Sequence, residues 1–166
     1  MDTFFVMDTQ RTIIQTMESL YILATSKNIE TIKERYDFLL TLIPTLKSAK
    51  NNSQYSTIIQ SALVQFKIMR PASVPQEYQL VVVFNPETFD INEFYCNSLV
   101  NAIKRFYEKQ FEEIIALKKE SAKTKRVAKI IETIKLVQNE LQLKCLSTAF
   151  YPIAKAEIEK LLSTLG

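Results

Sequence analysis

The chain has 166 residues, 47% apolar and 23% charged, with a net charge of +3; this is enough for one domain with a real core, and the apolar runs are too short to cross a bilayer. There is no histidine, and the single glycine is Gly166, the last residue. These absences exclude a His base, His metal ligands, Gly-rich phosphate loops, dinucleotide fingerprints and nucleophile elbows. Carboxylate, Lys or Tyr chemistry remains, but no constellation of such residues stands out, so the expectation is a non-enzyme without metal or cofactor. The opening MDTFFVMDTQRT has no basic leader and predicts an intracellular protein without a membrane role. Cys96 and Cys145 lie far apart in apolar helical contexts and read as buried free thiols.

In chain order the sequence predicts helices joined by polar loops, since left-handed turn positions must be few without glycine. Asp8-Thr9 can cap a first helix, 8–25, with Ile13, Ile14, Met17, Leu20 and Tyr21 at helical spacing. A second helix covers 29–50, with Ile32, Tyr36, Leu39, Leu40 and Ile43 on one face and a kink or restart at Pro44. After the loop SAKNNSQ comes a third helix, 54–69, with Ile58, Ile59, Ala62, Leu63 and Phe66 inward. The prolines of RPASVPQEYQLVVVF end it, and the β-branched and aromatic run predicts a short extended segment over 78–84. Asp90 and Glu93 have capping-box spacing at the start of a long fourth helix carrying Phe94, Leu99, Ala102, Ile103, Phe106, Phe111, Ile114 and Ile115. A fifth helix is expected over 124–150, with Val127, Ile130, Ile131, Ile134, Val137, Leu141, Cys145 and Leu146 apolar, broken by Pro152. A closing helix covers 154–165. The aromatics around the fourth helix read as core and interface packing.

Charge is concentrated in one place. Lys118, Lys119, Lys123, Lys125, Arg126 and Lys129 face one acid, Glu120, a net +5 in twelve residues of a chain of net +3. The cluster falls between two long helices and at the predicted start of one, where free N–H groups and the helix dipole favour phosphate. A solvated helix end is the plainer reading. No aromatic residues are interleaved, which argues against a sequence-reading RNA module.

Four stretches, in order, resemble the coat proteins of rod-shaped plant viruses of the tobacco mosaic virus type. SQYSTIIQSALVQF (53–66) is similar to that family's second helix. RPASVPQEYQLVVVF (70–84) is similar to its Pro-containing link into an extended segment ending in Phe. NPETFDINEFYCNSLVNAI (85–103) is similar to its Pro-aromatic turn and third helix, and TKRVAKIIETI (124–134) to the Thr-Arg-Arg-Val opening of its fourth. The resemblance covers about 110 residues and rests on order and spacing.

The resemblance implies an all-α antiparallel four-helix bundle over 28–150, with a short extended segment at one end, an added N-terminal helix within 1–27 and a C-terminal helix within 151–166, all in one domain. It implies a subunit that self-assembles into a helical rod around single-stranded genomic RNA, found in the virion and, during assembly, in host cytoplasm. By that resemblance Lys125 and Arg126 match paired phosphate-binding arginines, Lys129 stands where the family often has an acid, and Thr133 and Leu136 lie on the base-facing side. Lys118, Lys119 and Lys123 are candidates to replace arginines that are absent here, since the third-helix positions hold Glu112 and Glu113 and the second-helix position holds Ile59. The alternative is a non-viral helical adaptor that presents an apolar groove to a partner helix and has no nucleic-acid role.

Overall fold

The computed structural model describes residues 3–69 and 81–165. Among these residues every regular element is helical, and no residue takes a positive φ, as expected of a chain without internal glycine. The helices are α1 (Thr3–Thr25), α2 (Ile29–Ala49), α3 (Tyr55–Met69), α4 (Ile91–Ile115), α5 (Glu120–Lys144) and α6 (Tyr151–Leu165). None is long and apolar enough to cross a membrane. The contacts divide the chain into two compact units, one formed by Met1–Ala24 with Lys33–Phe89, the other by Thr25–Ile32 with Asp90–Gly166.

In the first unit α1 begins five residues before the expected cap. Asp8 does not cap it, because its carboxylate is taken by Arg11 one turn on, and the Thr12 hydroxyl donates to its carbonyl. The buried face of α1 carries Ile13, Met17, Leu20 and Leu23 beside Thr9, Thr12, Thr16 and Ser19. Burying the hydroxyls of Thr12, Thr16 and Ser19 is tolerable because each donates to the carbonyl four residues back. The α2 helix runs through Pro44 without interruption. Leu40, whose carbonyl loses its helical donor to the proline, is exposed, so water can take the donor's place. The α1 and α3 helices meet where Gln10 donates to Gln65 at 2.9 Å.

The extended segment expected over 78–84 is corrected where it is described. Residues 81–84 are helical, and the Asn85 N–H closes a turn on the Val81 carbonyl at 3.2 Å. Residues 78–80 lie outside the described residues. The reason is packing. Adjacent Val82 and Val83 are both fully buried while Val81 is exposed, a face that a helical turn can bury and an alternating strand cannot. The Tyr55 hydroxyl donates to the Val83 carbonyl, tying this turn to the start of α3.

In the second unit α4, α5 and α6 pack on one another. Asp90 caps α4 as expected, its carboxylate accepting from the Glu93 N–H at 3.0 Å. Leu99, Ala102, Ile103 and Ile114 are buried, as are Tyr95, Cys96 and Val100, while Phe111 and Ile115 are exposed. Ile130, Ile134, Val137 and Leu141 are the buried face of α5. That helix starts at Glu120, one turn before the expected position, because an acid in the first turn suits the dipole. It ends at Lys144, six residues early. There the Thr148 hydroxyl donates to the Cys145 carbonyl at 2.7 Å and closes a turn. Pro152 therefore breaks nothing: it sits in the first turn of α6, where its missing N–H is not needed.

Candidate nucleic-acid interface

The geometry of the basic stretch differs from the sequence expectation in one respect that matters. With α5 starting at Glu120, Lys118 lies in the four-residue link from α4, and Lys119 is the N-cap, with extended backbone and no side-chain hydrogen bond to the helix. Lys125 and Arg126 lie in the second turn and not at the free N–H groups. Each base has its own electrostatic state. Lys123 pairs with Glu120 at 3.6 Å. Arg126 reaches across to α4, 3.7 Å from Glu113 and 3.4 Å from the Gln110 side-chain oxygen. Lys118, Lys119, Lys125 and Lys129 are exposed, and among the described residues no acid pairs with them.

Glu113 thus has a role that the sequence did not reveal. Read alone, it stood as an acid where a phosphate contact was lost. In the fold it lies 3.7 Å from Arg126, across from α4 to α5. Both side chains are more than a third exposed, so the pair contributes little stability, and it leaves Arg126 partly neutralised.

Arg126, Lys129, Thr133 and Leu136 follow one another at spacings of three and four, which places them along one stripe of α5 about 15 Å long. The lower part of that stripe opens into a groove of about 770 Å³, lined by Lys129, Glu132, Thr133, Lys135 and Leu136 of α5, Phe106 of α4, and Lys27, Asn28 and Glu30 around the start of α2. Asn28 caps α2, its side-chain oxygen accepting from the Thr31 N–H at 3.1 Å. The Thr133 hydroxyl is used within the helix, donating to the Lys129 carbonyl at 3.1 Å. Leu136 is half-buried, its remaining face open to the groove.

The structure therefore brings Lys129, Thr133 and Leu136 together in one groove. Lys118, Lys119, Lys123, Lys125 and Arg126 lie at the helix opening above it. Sequence reasoning missed Lys135, whose signal was its place beside Leu136. It also missed Lys27 and Phe106, which reach the groove only through the packing of separate segments. Phe106 supplies the aromatic surface that is missing from the basic stretch itself.

Below the groove the α4–α5 contact is fixed by a buried polar cluster. The Tyr95 hydroxyl donates to the Glu140 carboxylate at 2.6 Å, and the Lys144 ammonium donates to the same oxygen at 2.9 Å. Tyr95 and Glu140 are buried. In a low-dielectric interior such a group holds its partners in one geometry, because a carboxylate there needs every donor it has. No family model, curated protein or solved structure matches this chain. What stands on geometry is a chain whose described regular elements are all helical, with a basic helix opening leading into a groove lined by lysines, two glutamates and an aromatic ring.

Proposed function

We propose that the protein is a structural subunit that binds single-stranded RNA through the opening of α5 and the groove below it, and that it assembles with copies of itself into a helical rod. The observation that carries this reading is the stripe from Arg126 to Leu136, with Lys118, Lys119 and Lys125 at its opening and Lys129 within it, four lysines that no acid pairs with among the described residues. A flexible polyanion matches such a surface. Its phosphates release counterions when they meet the lysines, and its bases have Phe106 and Leu136 as apolar surface. On this reading the helices take the antiparallel four-helix arrangement of the coat-protein resemblance, and the link lysines replace its missing arginines. The protein does no chemistry. Binding per subunit is weak and is multiplied by neighbours on the same strand.

The test is the double reversal Lys125→Glu/Arg126→Glu, with RNA recovered from purified assemblies as the readout. Packaging is expected to be lost while the far-ultraviolet circular dichroism stays unchanged; full packaging by the variant overturns the assignment. The adaptor reading has one observation in its favour. Met7 and Met69 are exposed and line, with Ile14, a groove of about 380 Å³ between α1 and α3. An adaptor predicts a monomer or small closed oligomer that purifies without nucleic acid.

A further inference from the structure

The chain has two cysteines, 49 positions apart, and the fold brings them together. Cys96 sits in the second turn of α4, and Cys145 is the C-cap of α5. Both are fully buried. The Cys145 Sγ lies 3.6 Å from the carbonyl oxygen of Asn92, one helical turn before Cys96 on the same face of α4, so the two thiols are neighbours in the core. Chance does not often place the only two thiols of a chain of this length side by side in its core.

We propose that Cys96 and Cys145 are a dithiol that closes to an intramolecular disulfide in an oxidising setting and so locks the start of α4 to the end of α5. This inference is independent of the RNA-binding reading. The two sulfurs are not equivalent. The Cys145 side chain holds the Cys96 thiol below its ordinary value against the burial that raises it, and Cys96 together with burial pushes Cys145 up. Cys96 attacking first and Cys145 resolving is one order of exchange; the reverse order gives the same disulfide.

With a low-molecular-weight disulfide such as glutathione disulfide as oxidant, the step balances. The Cys96 thiolate attacks one glutathione sulfur, breaks its S–S bond and releases the first glutathione thiolate. The Cys145 thiolate then attacks the Cys96 sulfur and expels the second. The protons of the two protein thiols end on the two glutathiones, and the protein has lost two electrons and two protons. Access needs only local opening at the end of α5, where residues 145–150 form turns and not helix. A reducing compartment keeps the pair open, and transfer to an oxidising one closes it.

The test uses the full chain, purified under reductant and then incubated with glutathione disulfide. The expected result is a monomer lighter by two hydrogens, a single Cys96–Cys145 cross-linked peptide on proteolysis, and a melting midpoint raised by about 10 °C that reductant reverses, the size expected for closing a loop of this length. Two alkylatable thiols after denaturation, glutathione adducts in place of the cross-link, or disulfide-linked dimers would each overturn the proposal.

Discussion

Removing three of the unpaired lysines should flatten the salt dependence of RNA binding by an amount that can be worked in advance. Each phosphate neutralised on a single strand contributes about 0.7 to the slope of log affinity against log salt. Lys118, Lys119, Lys125 and Lys129 are exposed and unpaired among the described residues. Four such contacts give a slope of about −2.8, or a loss of about fiftyfold in affinity between about 50 and about 200 mM salt. In Lys118→Gln/Lys119→Gln/Lys125→Gln three of these contacts are lost, the slope becomes shallower by about 2.1, and the loss of affinity over the same change in salt shrinks by about eighteenfold. The assay is fluorescence anisotropy of a short labelled single-stranded RNA titrated at several salt concentrations. Arg126→Gln is the internal comparison. Because Glu113 already sits 3.7 Å from Arg126, this change should move the slope less than any one lysine does. A triple variant with the wild-type slope, or a wild-type slope near zero, refutes the assignment of these lysines to phosphate.

Other outcomes follow from the core. Lys144→Met removes a cation from the buried Glu140 carboxylate and should cost about 3 kcal/mol in urea unfolding, the low end of the range for a broken buried pair because the Lys144 side chain is 26% exposed; a cost below about 1 kcal/mol would show that the pair is not a buried one in solution. Burial raises the Tyr55 hydroxyl to about 12 from an ordinary value of 10.0. The folded state thus holds that proton more tightly than the unfolded state. Its contribution is whole below the unfolded value and is lost as pH rises through the folded one, by about 2–3 kcal/mol between pH 10 and pH 12. Tyr55→Phe should make that alkaline decline shallower, and an unchanged decline would argue against the burial. Asp90→Ala deletes the α4 cap and should cost about 1 kcal/mol, read by thermal unfolding; no change would mean that water replaces the carboxylate.

Helix type and order were legible in the sequence because 3.6-residue periodicity survives in every long element. The cap at Asp90 was legible because its chemistry is local. What escaped has physical reasons. The YQLVVVF run has strong strand propensity, but burial of adjacent Val82 and Val83 decides in favour of a helical turn over 81–84, an example of context overriding propensity. Thr12, Thr16 and Ser19 read as polar, yet they line the buried face of α1, because back-bonding to the helix hides their hydroxyls. In the candidate interface Lys129 was readable from the charge cluster, and Thr133 and Leu136 came only from the resemblance. The pairing of Glu113 with Arg126, the arrival of Lys27 and Phe106 in the groove, and the meeting of Cys96 with Cys145 are tertiary facts with no local trace.

Whether the protein is the assembling, RNA-binding subunit proposed here is read first by negative-stain electron microscopy of the purified protein without nuclease treatment, with the ultraviolet absorbance ratio taken on the same sample. Rods of uniform diameter are expected, with an absorbance that reports bound nucleic acid, and they should come apart at high salt. Small dispersed particles without nucleic acid at every pH and salt concentration tried would contradict the proposal.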